Sequence, residues 1–324
     1  MKVSVVIPAY NEESNLGDCL RCLVEQTLSK AEFEVIVVDN LSTDSTVAIA
    51  QSFADRLNLQ IASAPKGSIS AVRNHGASLG NGEILAFLDA DCLAPEIWLS
   101  EALNRASDAS IWGAHYLIPE DATWVSRVWF LFQAKSMDGA VSFLPAGDLF
   151  IHKVNFEQLG GFDESIVTSE DVDLCARASN MGMSIIAMPT LGVIHEGSPK
   201  TLMGFYRQNR WHGNHVLVVF LRNLPSLRNA HIVTMSLYTL VVFWMTIAAV
   251  IVAGIWHLWL LPLTLICLLL FPGLALSLYR TAKSRQLGSL IQLWILYTTY
   301  LLARAAALTH VSYLFPGAGP SRVQ

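Results

Sequence analysis

The chain has 324 residues, 53% of them hydrophobic, a formal charge of −5 and a mean hydropathy of +0.43, which is too apolar for one ordinary water-soluble domain. The charge is unevenly spread: 26 Asp and Glu stand against 11 Lys and Arg up to Glu196, a balance of −15, and the remainder holds 10 basic residues and no acid. One aqueous and one lipid environment are implied, with no nucleic-acid partner. Cys19, Cys22, Cys92, Cys175 and Cys267 form no credible disulfide framework. Cys19 and Cys22 share a face of a predicted helix without a second ligand pair, which favours core over a zinc site.

In chain order, the strand Lys2-Val-Ser-Val-Val-Ile7 runs into Pro8-Ala-Tyr-Asn-Glu-Glu13 and a helix over 14–26. The strand Glu34-Val-Ile-Val-Val-Asp39 precedes a helix over 44–55, a strand over 58–63 precedes a helix over 68–79, and a fourth strand covers 83–88. This βαβ rhythm predicts a parallel sheet, in which ligands sit outside the strand carboxyl ends. Pro8 to Glu12, Asp39 to Asp44 and Asp89 to Asp91 all fall there. Gly80 and Gly82 read as an ordinary turn, and no repeat or Gly-rich phosphate loop is present.

The run Glu83-Ile-Leu-Ala-Phe-Leu-Asp-Ala-Asp91 ends an apolar strand in two acids. Strand side chains alternate, so Asp89 and Asp91 point the same way. Either they start the turn toward Pro95, or they hold a hard divalent ion that neutralises a leaving diphosphate. In Ser169-Glu-Asp-Val-Asp-Leu-Cys-Ala-Arg177, the acids are either the negative first turn of a helix or a source of a general base. His195 ends another apolar run, Leu191-Gly-Val-Ile-His195. The stripe Trp124, Val125, Val128, Trp129 and Phe132 is either a membrane-dipping face or core.

Taken together, these motifs resemble the family 2 glycosyltransferases over roughly the first two thirds of the chain. The resemblance implies the GT-A fold, an α/β nucleotide-sugar-binding sheet with flanking helices, here followed by C-terminal transmembrane helices. It also implies inverting transfer of a sugar, UDP-linked by preference, to a lipid-associated or glycan acceptor with help from Mg or Mn. It places Pro8, Ala9, Tyr10, Glu12 and Asp39 at the nucleoside, with Asp39 accepting the uracil N3-H. Lys66, Arg73 and Asn74, in Lys66-Gly-Ser-Ile-Ser-Ala-Val-Arg-Asn74, fall near the diphosphate. Asp91, assisted by Asp89 and with His195 as third ligand or diphosphate contact, forms the metal site. Asp171 becomes the base and Glu170 its neighbour, orienting it or bonding the acceptor. Asp148 stands where relatives show Asn in an acceptor-facing loop ahead of Gly160-Gly-Phe-Asp163. Arg207-Gln-Asn-Arg-Trp211 keeps Arg210 and Trp211 of the Gln-x-x-Arg-Trp motif of processive synthases, with Arg207 at the Gln position, on a helix that reads as interfacial. So few following spans favour addition of one sugar; the alternatives are a processive polysaccharide synthase and a GT-A-like nucleotidyltransferase.

Residues 230–257 and 258–279 contain no Lys, Arg, Asp or Glu, and each exceeds the roughly 20 residues a bilayer span needs. A third stretch, Leu287 to Ala303, ends at Arg304 and either spans or lies in the interface. Pro262 and Pro272 should kink the second span. Arg222, Arg228, Arg280, Lys283 and Arg285 flank one side and Gly254 to His257 lacks Lys and Arg, so the positive-inside rule sets the amino-terminal domain in the cytoplasm of a bacterial inner membrane. An opening strand with no signal peptide agrees. The expected boundaries are a catalytic domain at 1–199, an interfacial helix and linker at 200–229, a membrane domain at 230–310 and a tail at 311–324.

Overall fold

The computed structural model describes residues 1–64, 67–106, 110–133, 138–166, 168–213 and 230–309. They divide between two compact units, one from residues 1–121 and 134–198, the other from 122–133 and 199 onward.

In the first unit, β1 (Val3–Ala9), α1 (Leu16–Val24), β2 (Phe33–Asp39), α2 (Thr46–Gln51), β3 (Leu59–Ser63), α3 (Ile69–Leu79) and β4 (Ile84–Leu88) reproduce the predicted alternation. Every residue of β1, β2 and β4 is buried, which is why these parallel strands read as apolar runs and not as alternating ones. There follow β5 (Cys92–Leu93), α4 (Trp98–Asn104), β6 (Ile111–Gly113), β7 (Gly139–Ala140), β8 (Asp148–His152), α6 (Lys153–Gln158), α7 (Glu170–Asn180), β9 (Ile185–Ala187) and β10 (Ile194–His195). Eight strands form one mixed sheet in the order β3-β2-β1-β4-β8-β6-β9-β7, and β5 pairs with β10 apart from it. The turn at Gly80 and Gly82 is more constrained than its sequence implies. Gly82 N–H donates to Ser4 Oγ at 2.8 Å, and a Cβ on Gly82 would lie 2.6 Å from Ser4 N.

The second unit holds α5 (Trp124–Gln133), α8 (Leu202–Gly213), α9 (Ala230–Trp256), α10 (Leu260–Ser284) and α11 (Leu290–Ala307). Counting the 3-10 turn Leu287–Ser289 with α11, three helices among the described residues, of 27, 25 and 21 residues, are long and apolar enough to cross a membrane. The third runs through Arg304, whose guanidinium lies over the Tyr300 ring at 5.1 Å. Inside α10, Pro272 lacks the N–H that would bond Leu268 O, and Tyr238 Oη donates to that carbonyl at 2.9 Å. Gly273 admits α11 closely, since a Cβ there would lie 2.8 Å from Thr298 Oγ1.

The α5 stripe is core of this unit: Val125, Val128 and Phe132 pack with Phe205, Leu293, Leu296 and Tyr297. This segment therefore leaves the amino-terminal domain to which the expected 1–199 boundary assigned it. Arg222, Arg228 and the tail at 311–324 lie outside the described residues.

Candidate active site

The strand carboxyl ends build the site. β1 and β2 run in register so that Pro8 faces Val38 and Ala9 faces Asp39. The loops after them are knitted together. Asn11, at φ 54°, donates its N–H to Ser42 Oγ at 2.9 Å and accepts Thr43 N–H at 2.9 Å; Glu12 N–H donates to Thr46 Oγ1 at 2.8 Å. Glu12 also accepts from Asn15 Nδ2 at 2.9 Å. Asp39, 6% exposed, accepts the Ser42 N–H at 3.2 Å. The turn-capping role is thus present, at the strand end where Asp39 pairs with Ala9. Lys66 lies outside the described residues.

At the end of β4 the two acids separate in role. Asp89 accepts from Arg73 Nη2 at 2.6 Å and from the Tyr116 hydroxyl at 3.0 Å. Burial opposes its charge, but Arg73, followed by His195 and Tyr116, holds its carboxyl below the usual carboxylate range. Asp91 is raised, by burial first and by Asp89 next, and His195 works against that shift.

His195 reaches Asp91 through the short β5–β10 pair, in which it stands opposite Cys92. Its Nε2 is 3.5 Å from Asp91 Oδ2, its ring stacks on Tyr116 at 4.5 Å, and its Nδ1 lies 3.3 Å from Ser198 Oγ. Ligand atoms of Asp91, Cys92 and His195 lie within 4.8 Å of one another. Burial drives the Cys92 thiol far above its ordinary range; for a hard divalent ion the preferred donors here are the Asp91 carboxylate oxygen and the His195 imidazole nitrogen. Those two donors, with oxygens from a diphosphate and water, fit Mn or Mg. Two glycines keep the space open: a Cβ on Gly147 would strike Asp89 and Tyr116, and one on Gly197 would strike Asp91.

Arg73 and Asn74, expected at the diphosphate, are engaged otherwise. Arg73 is 4% exposed, and its Nη1 donates to Glu170 Oε1 at 2.6 Å while Nη2 holds Asp89. Asn74 bonds Phe162 through both its amide groups, at 2.8 and 2.9 Å, and Glu164 at 3.0 Å, fixing the loop after Gly160.

Glu170 and Asp171 open α7, preceded by Ser169 in the left-handed region at φ 70°. Burial first, and the Glu170 charge second, push Asp171 up to about 7, with the Val172 and Ala146 amides and Arg73 pulling the other way. Asp173 pairs with Arg177 at 2.8 Å.

Asp148 is a correction. As the first residue of β8 it is 0% exposed, with Oδ1 accepting the Trp98 indole N–H at 3.0 Å, and burial raises it well above the carboxylate range. An acid sealed between strand and helix does not face an acceptor. Arg207, Arg210 and Trp211 lie on α8, in the second unit. Tyr116 had no sequence signal, because it enters through a bridge in which Leu117 N–H donates to Val193 O and His195 N–H donates to Leu117 O.

Residues 4–152 match the family model described as glycosyl transferase family 2, and residues 84–303 match the one described as glycosyl transferase family group 2. Glycosyltransferase AglE of Haloferax volcanii is 33% identical over 192 residues, covering 56% of this chain and 63% of that protein. Probable glycosyltransferase YdaM of Bacillus subtilis is 29% identical over 254 residues, covering 72% and 60%. The chain thus spans about three fifths of the length of these two relatives. Among solved structures, mannosyltransferase PcManGT from Pyrobaculum calidifontis, in complex with GDP-Man and Mn2+, has a TM-score of 0.64 at 21% identity over 96% of this chain and 88% of that one. S. aureus TarS in complex with UDP-GlcNAc has a TM-score of 0.52 at 21% identity over 71% and 69%. Similarity at that identity shows the fold, a GT-A-like α/β sheet. The family-model match over residues 84–303, more than half of the chain, goes further: the chain belongs to the family 2 glycosyltransferases.

Proposed function

We propose that this chain transfers a sugar, with inversion, from a nucleotide diphosphate sugar, UDP-linked by preference, to a lipid-linked or glycan acceptor at a membrane. The observation that carries the reading is the Asp89–Arg73–Glu170 bridge, which ties the end of β4 to the start of α7, where Asp171 follows Glu170. Pro8, Ala9, Tyr10 and Glu12 frame the nucleoside, and Asp39 accepts the base N–H. Asp91 and His195 are placed to hold a divalent ion, with Asp89 alongside; such an ion, when bound, neutralises the charge of the departing diphosphate. Asp171 takes the proton from the acceptor hydroxyl, and a carboxyl raised to about 7 is matched to that task near neutral pH. The Mn2+ and GDP-Man of the PcManGT complex and the UDP-GlcNAc of the TarS complex support a metal and a nucleotide-sugar donor.

Three apolar helices of membrane length support an integral membrane protein. The basic connection Arg280, Lys283 and Arg285 supports a catalytic domain on the cytoplasmic side of a bacterial inner membrane. Arg207, Arg210 and Trp211 on α8 are proposed as interfacial contacts, and one-sugar addition is favoured over processive synthesis.

Detergent-purified protein, given a panel of nucleotide sugars and Mn2+, should release nucleoside diphosphate from one of them. Release of pyrophosphate, which a nucleotidyltransferase would produce, or nucleotide binding without turnover across the panel, contradicts the reading.

A further inference from the structure

Arg73 is a buried cation of the first unit that pairs with two carboxylates. It projects from α3, which Gly76 lets lie against the sheet, since a Cβ there would come within 2.9 Å of Val38 Cγ2 and closer still to Val6. Its neighbours on α3 stitch that helix to the segment leading into α7: Ser68 Oγ donates to Glu164 O at 3.0 Å, Ser70 Oγ to Ile166 O at 3.2 Å, and Asn74 to Phe162 O at 2.8 Å. From this base the guanidinium spans two carboxylates, each at 2.6 Å, and lies over the Phe162 ring at 5.7 Å. Ser169, strained at φ 70°, turns the chain so that Glu170 meets it.

We propose that Arg73 is a positioning residue of the transfer step: its two prongs fix Asp89 on the donor side and Glu170 on the acceptor side in register, and it does not ligate the diphosphate. The proposal rests on the function argued above. A guanidinium fork has the fixed planar geometry to hold two carboxylates at once, whereas an ammonium is a single point charge. Recruiting Arg73 to a phosphate would leave one or both carboxylates buried without their partner, which costs more than an exposed cation would. Among the described residues, the titratable and charged groups facing Asp171 are Glu170 and Cys175 on its own helix, Arg73 from α3 and the Tyr116 phenol from the segment after β6. Arg73 lowers Asp171 and Glu170 raises it, so removing each moves the base in opposite directions.

The test uses the full chain in detergent with Arg73→Lys, Arg73→Met and Glu170→Gln, measuring kcat against pH, donor KM, nucleotide affinity by calorimetry and the thermal midpoint. Expected are a fall in kcat of about a hundredfold or more for both Arg73 variants, nucleotide affinity within about threefold of wild type, and no rescue by Lys. The acidic limb of kcat should move to higher pH in Arg73→Met and to lower pH in Glu170→Gln. Wild-type kcat in Arg73→Lys, or nucleotide affinity lost in step with rate, overturns the proposal. If Arg73→Met does not fold, the kcat and nucleotide affinity of Arg73→Lys decide. If the wild type transfers no sugar, the proposed function has failed. The clamp then stands if Arg73→Lys lowers the thermal midpoint at unchanged nucleotide affinity, and falls if affinity drops at unchanged midpoint.

Discussion

Asp171→Asn separates rate from stability through a single carboxyl. Burial and Glu170 raise Asp171 from 3.8 to about 7. A base must be ionised, so kcat should climb roughly tenfold per pH unit below about 7 and level off above it. For stability the sign is opposite. An acid raised by folding is ionised more readily in the unfolded chain, so its cost is absent well below 3.8 and is fully developed once pH has risen through about 7. About three units at about 1.4 kcal/mol each bound that cost near 4 kcal/mol, and solvent screening at a partly exposed side chain reduces it to about 1–2 kcal/mol. Asn cannot ionise, so the variant should lose roughly two to four orders of magnitude in kcat. It should keep nucleotide affinity and unfold at a higher temperature than wild type, by more at pH 8 than at pH 5. Turnover, calorimetric nucleotide affinity and thermal unfolding across pH check this. More than about a tenth of the wild-type rate, affinity lost in proportion to rate, or a flat wild-type profile between pH 5 and 7 refutes the assignment.

Asp91→Asn and His195→Ala should each weaken Mn2+ affinity by about tenfold or more while the thermal midpoint stays near wild type; unchanged titration of Mn2+ removes them from the metal site. Asp39→Asn should weaken nucleotide binding with kcat retained, measured by calorimetry against turnover at saturating donor. Asp148→Asn keeps the acceptor for the Trp98 indole and removes a buried acid, so its thermal midpoint should equal or exceed wild type, with a margin that grows as pH rises; a lower midpoint at pH 8 contradicts a neutral carboxyl. A cysteine placed near Lys283 should be labelled only from the cytoplasmic side and one near His257 only from the opposite side, and labelling of both from one side rejects the orientation.

What the sequence reveals follows the length and burial of each element. β1, β2 and β4 are legible because strands buried on both faces leave apolar runs. The other half of the sheet is not. β6, β7 and β9 have two or three residues each, too few for any period, and β8 hides behind the polar start that made Asp148 read as a loop residue. Asp91 and His195 are individually visible as strand-end polar residues, but their meeting depends on the two-residue pair β5–β10, which no pattern announces. Arg73 is visible as a cation and not as a clamp, because its partners lie 16 and 97 residues away. The α5 stripe was legible as amphipathic; what covers it, α8 and α11, becomes known only from packing.

The anomeric configuration of the product tests the account most directly. A carboxylate base on the face opposite the departing diphosphate requires one displacement and one inversion. Proton NMR of the product formed from an α-linked nucleotide sugar should therefore show a β-linkage. An α-linkage would mean that the configuration is retained and that Asp171 does not act as the account describes.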